Sequence, residues 1–469
     1  MHYDVYTCTI LLWNFKLGNF DTLSDNKKNW SPDSWQKMNA SQQATYPDEN
    51  QLNQAVSDLS QLPPIVTSWE VDKLREHIAS AQRGDVFILQ GGDCAESFSD
   101  CNSDSIVAKL KILLQMSTVM QYGLKKPVVR VGRMAGQYAK PRSADIESKN
   151  GQELPSYRGD IINRSAFTSD DRVPDPSLIL RGYERAALTM NFVRSLIDGG
   201  FVDLHHPEYW DLDWLGHSEM GDRYKKIIQS ITESIDFIES TSGRPLFLSQ
   251  KAEIYAAHEG LHLHYEQAQT RYIERTKNYY NLTTHFPWIG MRTAELDGAH
   301  VEYFRGVANP MGIKIGPGMT KDWLQDLLKS LNPENIPGRI TLIHRFGADK
   351  IEDTLPHLIK TVQESASPVL WVCDPMHGNT ESTSSGVKTR RFDNITSELE
   401  SAFKIHKNMG SYLGGVHLEL TGENVTECTG GARGLNDEDL AIAYKSPVDP
   451  RLNYEQAMEI ALGISGLSA

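Results

Sequence analysis

Short runs of apolar, β-branched residues recur along the chain, and between most of them lie longer segments whose apolar positions repeat at helical spacing. Eight runs read as strands: residues 86–90, 127–132, 251–255, 285–290, 313–317, 340–345, 369–374 and 415–420. Most are nearly continuous in apolar residues, the pattern of strands buried on both faces. Helical segments fall between them, among them 105–122, 323–330, 353–364 and 396–409. This alternation predicts an α/β fold, a (β/α)8 TIM barrel. The competing architecture, an open doubly wound sheet, lacks its signature, because no G-x-G-x-x-G or P-loop turn opens a helix after the first strand.

Two regions exceed the ~250 residues of a minimal barrel. Residues 1–28 show no clear period and read as a disordered leader, or as a translated upstream stretch that N-terminal sequencing would expose. Residues 29–84 form an N-terminal extension with helices expected at 50–62 and 68–82. The catalytic barrel is then 85–469, with a helical insertion at about 165–245 between the second and third strands. Its amphipathic stretches, 176–199 and 221–240, flank a Trp-rich, acidic connection at 208–213. Barrel geometry does not demand these helices, so an interface or regulatory role suits them better than padding.

Composition narrows the function. A chain of 469 residues, 39% hydrophobic and 23% charged, can bury a large core. Its formal charge of −14 opposes broad attraction to nucleic acid or anionic lipid, but leaves room for a local basic pocket that holds a small anion. The early apolar stretch at 10–15 is far short of the ~20 residues that span a bilayer and has neither a basic leader nor a cleavage site, so a cytoplasmic protein is expected. Five cysteines, Cys8, Cys94, Cys101, Cys373 and Cys428, include no C-x-x-C pair and read as reduced thiols, by default small buried hydrophobes.

In a barrel enzyme the chemistry gathers at the C-terminal ends of the strands. There the first strand runs into Asp93-Cys94, the seventh into Asp374-Pro375-Met376-His377, and the eighth ends at Glu419, with Asp449 following. Singly, each has a structural reading: a packed thiol, a turn residue, half an ion pair, a helix cap. Together Cys94, His377, Glu419 and Asp449 offer a thiolate, an imidazole and two carboxylates, a set suited to a catalytic divalent ion such as Mn2+, Co2+, Fe2+ or Zn2+. A second set is cationic: Arg133, Lys140, Arg142, Arg292, Lys314 and Arg345, several within or ending apolar strands. Cations so placed are costly unless paired, and phosphate and carboxylate are natural counter-charges. Pattern alone stops at a metal-dependent barrel enzyme for phosphorylated or carboxylated sugars or keto acids.

Longer motifs go further. Residues 87–98 (FILQGGDCAESF), 132–143 (GRMAGQYAKPRS), 371–380 (WVCDPMHGNT) and 414–428 (GGVHLELTGENVTEC) resemble those of the type II (plant-like) 3-deoxy-D-arabino-heptulosonate 7-phosphate (DAHP) synthases. So do 154–160, 296–300, 337–342 and 449–453, and the likeness runs from about residue 29 to the C-terminus. The resemblance implies a barrel that condenses phosphoenolpyruvate with erythrose 4-phosphate, the first step of the shikimate pathway. It implies that Cys94, His377, Glu419 and Asp449 hold the metal, Mn2+ first among Co2+, Fe2+, Zn2+ and Mg2+, with no organic cofactor. Arg133, Met291, Arg292, Lys314 and Arg345 would bind phosphoenolpyruvate, and Lys140, Arg142 and Ser143 the erythrose 4-phosphate end. It also implies aromatic amino acid effectors, a homodimer or homotetramer, and a chorismate mutase partner. Two positions depart from the family: Met291 stands where Glu often precedes the Arg, which is harmless if the position acts through its backbone N–H, and Val448 stands where several members carry a cysteine, so no local redox lock is expected. The other readings are a synthase of eight-carbon 3-deoxy sugar acids and a non-catalytic regulator, the latter disfavoured because every matched ligand is present.

Overall fold

Eight parallel strands close on themselves in sequence order: β1 (Phe87–Gly92), β2 (Val128–Arg133), β3 (Ile254–Glu259), β4 (Phe286–Ile289), β5 (Met311–Ile315), β6 (Ile340–His344), β7 (Val369–Cys373) and β8 (Leu413–Glu419). β1 pairs with both β2 and β8, so that Gly92 lies level with Arg133 on one side and Glu419 on the other. This architecture comes from a computed structural model that describes residues 29–149, 151–199, 201, 221–222, 225–230, 233 and 253–467. The stretch at 1–28 and the connection at 208–213 lie outside the described residues, as does most of 221–240.

The barrel expected from the strand and helix alternation is therefore present. The third strand is displaced: it runs Ile254–Glu259, not 251–255. Ala256 and Ala257 have little strand propensity of their own, yet Ala257 packs inside the barrel and the Ala256 N–H donates to His285 Nδ1 at 2.8 Å, so packing overrides propensity. The fifth strand is displaced the other way, running Met311–Ile315 rather than 313–317. Helices cover the outside, including α3 (Ser103–Leu124), α7 (Lys321–Leu331), α8 (Ile351–Ser365), α9 (Phe392–Asn408) and α10 (Tyr454–Leu467), the intervening ones being α4 (Ser177–Asp198), α5 (Leu263–Ala268) and α6 (Ala299–Gly306). Of the expected insertion, α4 packs against α3 and against α1 (Glu49–Gln61) of the N-terminal extension.

The second helix of that extension, α2 (Ser68–Gln82), closes the floor of the barrel. Thr67 and Glu70 begin it as a reciprocal cap: the Glu70 N–H donates to Thr67 Oγ1 at 3.3 Å and the Thr67 N–H to Glu70 Oε2 at 2.8 Å. Its Leu74, Ile78 and Ala81 pack into one cluster with the interior residues Ile88, Val129, Leu370 and Val372. Truncating Leu74 to Ala would cost ~2–5 kcal/mol, because a packed interior relaxes only in part. With the floor sealed, the opposite end is the open mouth.

Candidate active site

At the mouth the barrel interior turns from apolar to ionic. Arg133, the last residue of β2, is 2% exposed. Its guanidinium lies 5.1 Å over the Trp288 ring, donates through Nε to the Asp93 carbonyl at 2.9 Å, and through Nη2 to Glu419 Oε1 at 2.9 Å. β1 reaches this level through Gly92, whose φ is +145° and where a Cβ would fall 2.6 Å from the Arg133 carbonyl oxygen, leaving no room for a side chain. The chain can then curl directly into Asp93 and Cys94.

The four expected metal ligands come together. Cys94 Sγ, Glu419 and Asp449 offer donor atoms that all lie within 4.8 Å of one another. His377, opening a short turn after β7, places Nε2 3.1 Å from Glu419 Oε1. Cys94 and Asp449 are 355 positions apart in sequence, and Arg451 joins the loops that carry them: it contacts Asp93 Oδ1 at 2.6 Å and Glu427 Oε1 at 2.8 Å. The other nitrogen of the His377 ring, Nδ1, lies 2.7 Å from Asp374 Oδ2, which orients the ring as a buried carboxylate orients a ligand histidine.

The donor set carries its own test of fit. The Lys140 ammonium stands among the ligand atoms, 2.6 Å from Cys94 Sγ, 2.9 Å from Asp449 Oδ2 and 3.8 Å from Glu419 Oε1. It supplies positive charge where a divalent ion would supply more. Burial pushes the Cys94 thiol up to about 12, and the Glu419 carboxylate adds to this, so a bound cation is what would make it a thiolate. Burial alone would also raise Glu419, but His377, Lys140, Arg390 and Arg133 hold it well below the ordinary carboxylate range. Asp449 is likewise lowered against burial, first by Lys140. One buried thiol, one imidazole and two ionised carboxylates fit a divalent metal.

The cationic set surrounds the same space. Arg133, Lys140, Arg142, Ser143, Met291, Arg292, Lys314 and Arg345 line a cavity of about 510 Å3, together with His377 and Asp449; Cys94 and Glu419 are fully buried and touch that lining through Lys140, His377 and Asp449. Lys314 contacts the Asp374 carboxylate, and Arg345 Nη2 donates to the His377 carbonyl at 2.8 Å. Arg292 Nη2 donates to Ser143 Oγ at 2.9 Å, so residues expected at opposite ends of the mouth touch. Arg142 is turned to the rim, paired at 2.6 Å with Glu147, which also holds Arg172 at 2.7 Å.

Four residues at the mouth were not read from the sequence as site residues. Arg390, fully buried, places Nη1 2.8 Å from Glu419 Oε2, and Lys388 reaches Asp449 Oδ1 at 2.9 Å. Both lie on the small hairpin Thr380–Ser382 and Lys388–Arg390 that follows β7. Asp374, already visible at the end of its strand, gives Lys314 and His377 a common anchor. Glu259 ends β3 and faces the cavity; burial raises its pKa even though Lys140 and Lys314 are near, and its Oε1 has no hydrogen-bond partner among the described residues.

A sealed-floor barrel whose mouth joins a thiol, an imidazole and two carboxylates, a donor set that fits a divalent ion, to a shell of lysines and arginines has the form of an enzyme site for anionic metabolites. Residues 30–465 match the class-II DAHP synthetase family. A phospho-2-dehydro-3-deoxyheptonate aldolase of Neurospora crassa is 47% identical over 452 residues, 93% of this chain and 94% of that one. A protein of the same name from Streptomyces coelicolor is 44% identical over 428 residues, 91% of this chain and 95% of that one. Among solved structures, a truncated form of 3-deoxy-D-arabino-heptulosonate 7-phosphate synthase from Thermotoga maritima is 12% identical, with a TM-score of 0.31 over 80% of this chain and 84% of that one, and nothing about the site rests on it. The chain belongs to the class-II DAHP synthetase family, and its activity is that of a DAHP synthase, at the first step of the shikimate pathway. No helix among the described residues is long and apolar enough to cross a membrane.

Proposed function

We propose that the mouth condenses phosphoenolpyruvate with erythrose 4-phosphate and water, with Cys94, His377, Glu419 and Asp449 holding Mn2+. The observation that carries this is the meeting, in one cavity, of the ligand set with Arg133, Arg292, Lys314 and Arg345. When bound, the ion supplies Lewis-acid polarisation of the aldehyde oxygen. Arg133, Lys314 and Arg345, with Arg292 and the backbone of Met291, hold the phosphate and carboxylate of phosphoenolpyruvate. Lys140 and Ser143 then face the erythrose 4-phosphate end, with Arg142 at the rim. C3 of the enol attacks the aldehyde carbon, C2 gains positive character, water adds there, and phosphate leaves with cleavage of its C–O bond. Fixed cations on strand ends stabilise the changing negative charge without reorganising. Glu259, half-buried at the cavity wall with its Oε1 enclosed and its pKa raised, is placed to take or hold the proton of the adding water at Oε1.

No organic cofactor is needed for this chemistry. A homodimer or homotetramer, an aromatic amino acid effector and a chorismate mutase partner go with the same reading. The amphipathic helix α4, which the barrel does not require, is the described element on which such contacts would fall. Heptulosonate formation measured against manganese, with and without tryptophan, phenylalanine and tyrosine, tests both levels: metal-independent activity would refute the ligand set, and flat titrations with all three amino acids would remove the effector.

A further inference from the structure

A second group of metal-binding donors lies on the other side of the barrel wall. His344 ends β6 and Cys373 ends β7, and the two are partners in register. Their neighbours Ile343 and Val372 fill the interior, so strand alternation turns His344 and Cys373 outward under α9. That helix brings Glu398 over them. One donor atom from each of His344, Cys373 and Glu398 lies within 4.8 Å of the other two, and all three residues are buried. His344 is 0% exposed, yet neither ring nitrogen has a hydrogen-bond partner among the described residues. His406, on the same face of α9, has its ring 5.9 Å from that of His344; its Nδ1 meets Ser411 Oγ at 3.0 Å and its Nε2 is likewise unpartnered. A buried imidazole facing a thiol and a carboxylate with both ring nitrogens unpartnered, beside a second imidazole with one nitrogen unpartnered, is an arrangement that packing alone disfavours.

We propose that His344, Cys373 and Glu398, with His406 as a fourth donor, form a second, structural site for an ion of the zinc class. Sulfur and imidazole favour such an ion over Mg2+ or Ca2+, and a closed set of four is the arrangement of structural zinc. The charges also match. Burial pushes the Cys373 thiol well up, Glu398 up to about 7 and His344 well down, so the cluster by itself leans to the neutral forms. Binding expels the thiol proton, and any carboxyl proton, to solvent; the resulting thiolate and carboxylate offset the two positive charges, and His344 gives a neutral lone pair. The site stands directly behind the mouth. Glu398 Oε1 accepts from the N–H groups of Phe346 and Gly347 at 2.9 and 3.0 Å, next to Arg345, and its Oε2 accepts from Asn379 at 2.7 Å, two residues beyond His377. An ion there would brace two mouth residues from outside the barrel.

The test uses the full chain carrying Cys94→Ser, which removes the sulfur ligand of the mouth, expressed with zinc or with cobalt and dialysed against chelator. The expected result is one equivalent of retained metal and, for cobalt, a thiolate charge-transfer band in the near ultraviolet. Both should disappear on adding Cys373→Ser, and the retained equivalent should disappear on adding His344→Thr, the milder change if Cys373→Ser folds poorly. Absence of chelator-resistant metal in the Cys94→Ser chain, or a band that survives Cys373→Ser, would overturn the proposal. The result does not depend on which substrates the mouth takes.

Discussion

If Lys314 holds phosphoenolpyruvate as proposed, its protonation sets how far into the alkaline range the free enzyme can bind that substrate. Its ammonium is buried in the mouth against Asp374. Burial draws its pKa down to about 8; the Asp374 carboxylate pulls the other way, and Arg133 lowers it further. Above that value the neutral amine dominates, and a neutral amine offers no charge to phosphate or carboxylate. If only the charged form binds productively, kcat/KM for phosphoenolpyruvate falls about tenfold for each pH unit beyond the midpoint, about 1.4 kcal/mol per unit. A divalent ion in the adjoining ligand set disfavours another cation, so metal loading moves the midpoint lower, not higher. Folding responds with the opposite sign. Between about 8 and the unfolded lysine value near 10.4, the unfolded chain binds more protons, so this residue's contribution to stability rises with pH. The assay is initial-rate kinetics from about pH 6.5 to about pH 9.5 at fixed metal, for the natural chain and for Lys314→Arg, whose guanidinium stays charged. A flat profile in the natural chain, or the same alkaline limb in Lys314→Arg, would refute the reasoning.

Three further outcomes follow from the geometry. Arg390→Met strips a fully buried partner from Glu419, and a buried charge left with one cation fewer should cost about 3 kcal/mol in urea unfolding; an unchanged unfolding midpoint would show that Arg133 and Lys140 suffice. Met291→Glu should leave turnover unchanged or lower if residue 291, which opens a short turn, acts through its backbone as proposed; a clear rise in kcat would show that a carboxylate is wanted there. Cys94→Ser should weaken manganese binding in a calorimetric titration while leaving the fold intact by circular dichroism, and equal affinity would remove the thiol from the ligand set.

Most of the barrel was legible because its strands are buried on both faces and so appear as continuous apolar runs. The mouth was legible for the same reason: polar residues within or ending apolar runs, such as Lys314, Arg133 and Glu419, stand out against their context. Glu259 did not, because the third strand reads as ending near Tyr255, and only the packing of Ala256 and Ala257 carries it four residues further. Arg390 and Lys388 escaped because their hairpin belongs to neither period of the barrel, and nothing in its local sequence says that it folds back over Glu419. The convergence of Cys94 with Asp449 across 355 positions is a product of barrel closure, which brings β1 beside β8. Lys140 was expected at the substrate end; its place among the ligand atoms depends on side-chain packing alone.

The most direct test of the account is heptulosonate formation and phosphate release by the purified chain given phosphoenolpyruvate and erythrose 4-phosphate, with manganese, with chelator, and as Cys94→Ser. The account predicts both products in equal amounts with manganese, loss of both under chelation with recovery on adding metal back, and a severe loss in Cys94→Ser. No product under any divalent metal, or product formation indifferent to chelator and to Cys94, would contradict it.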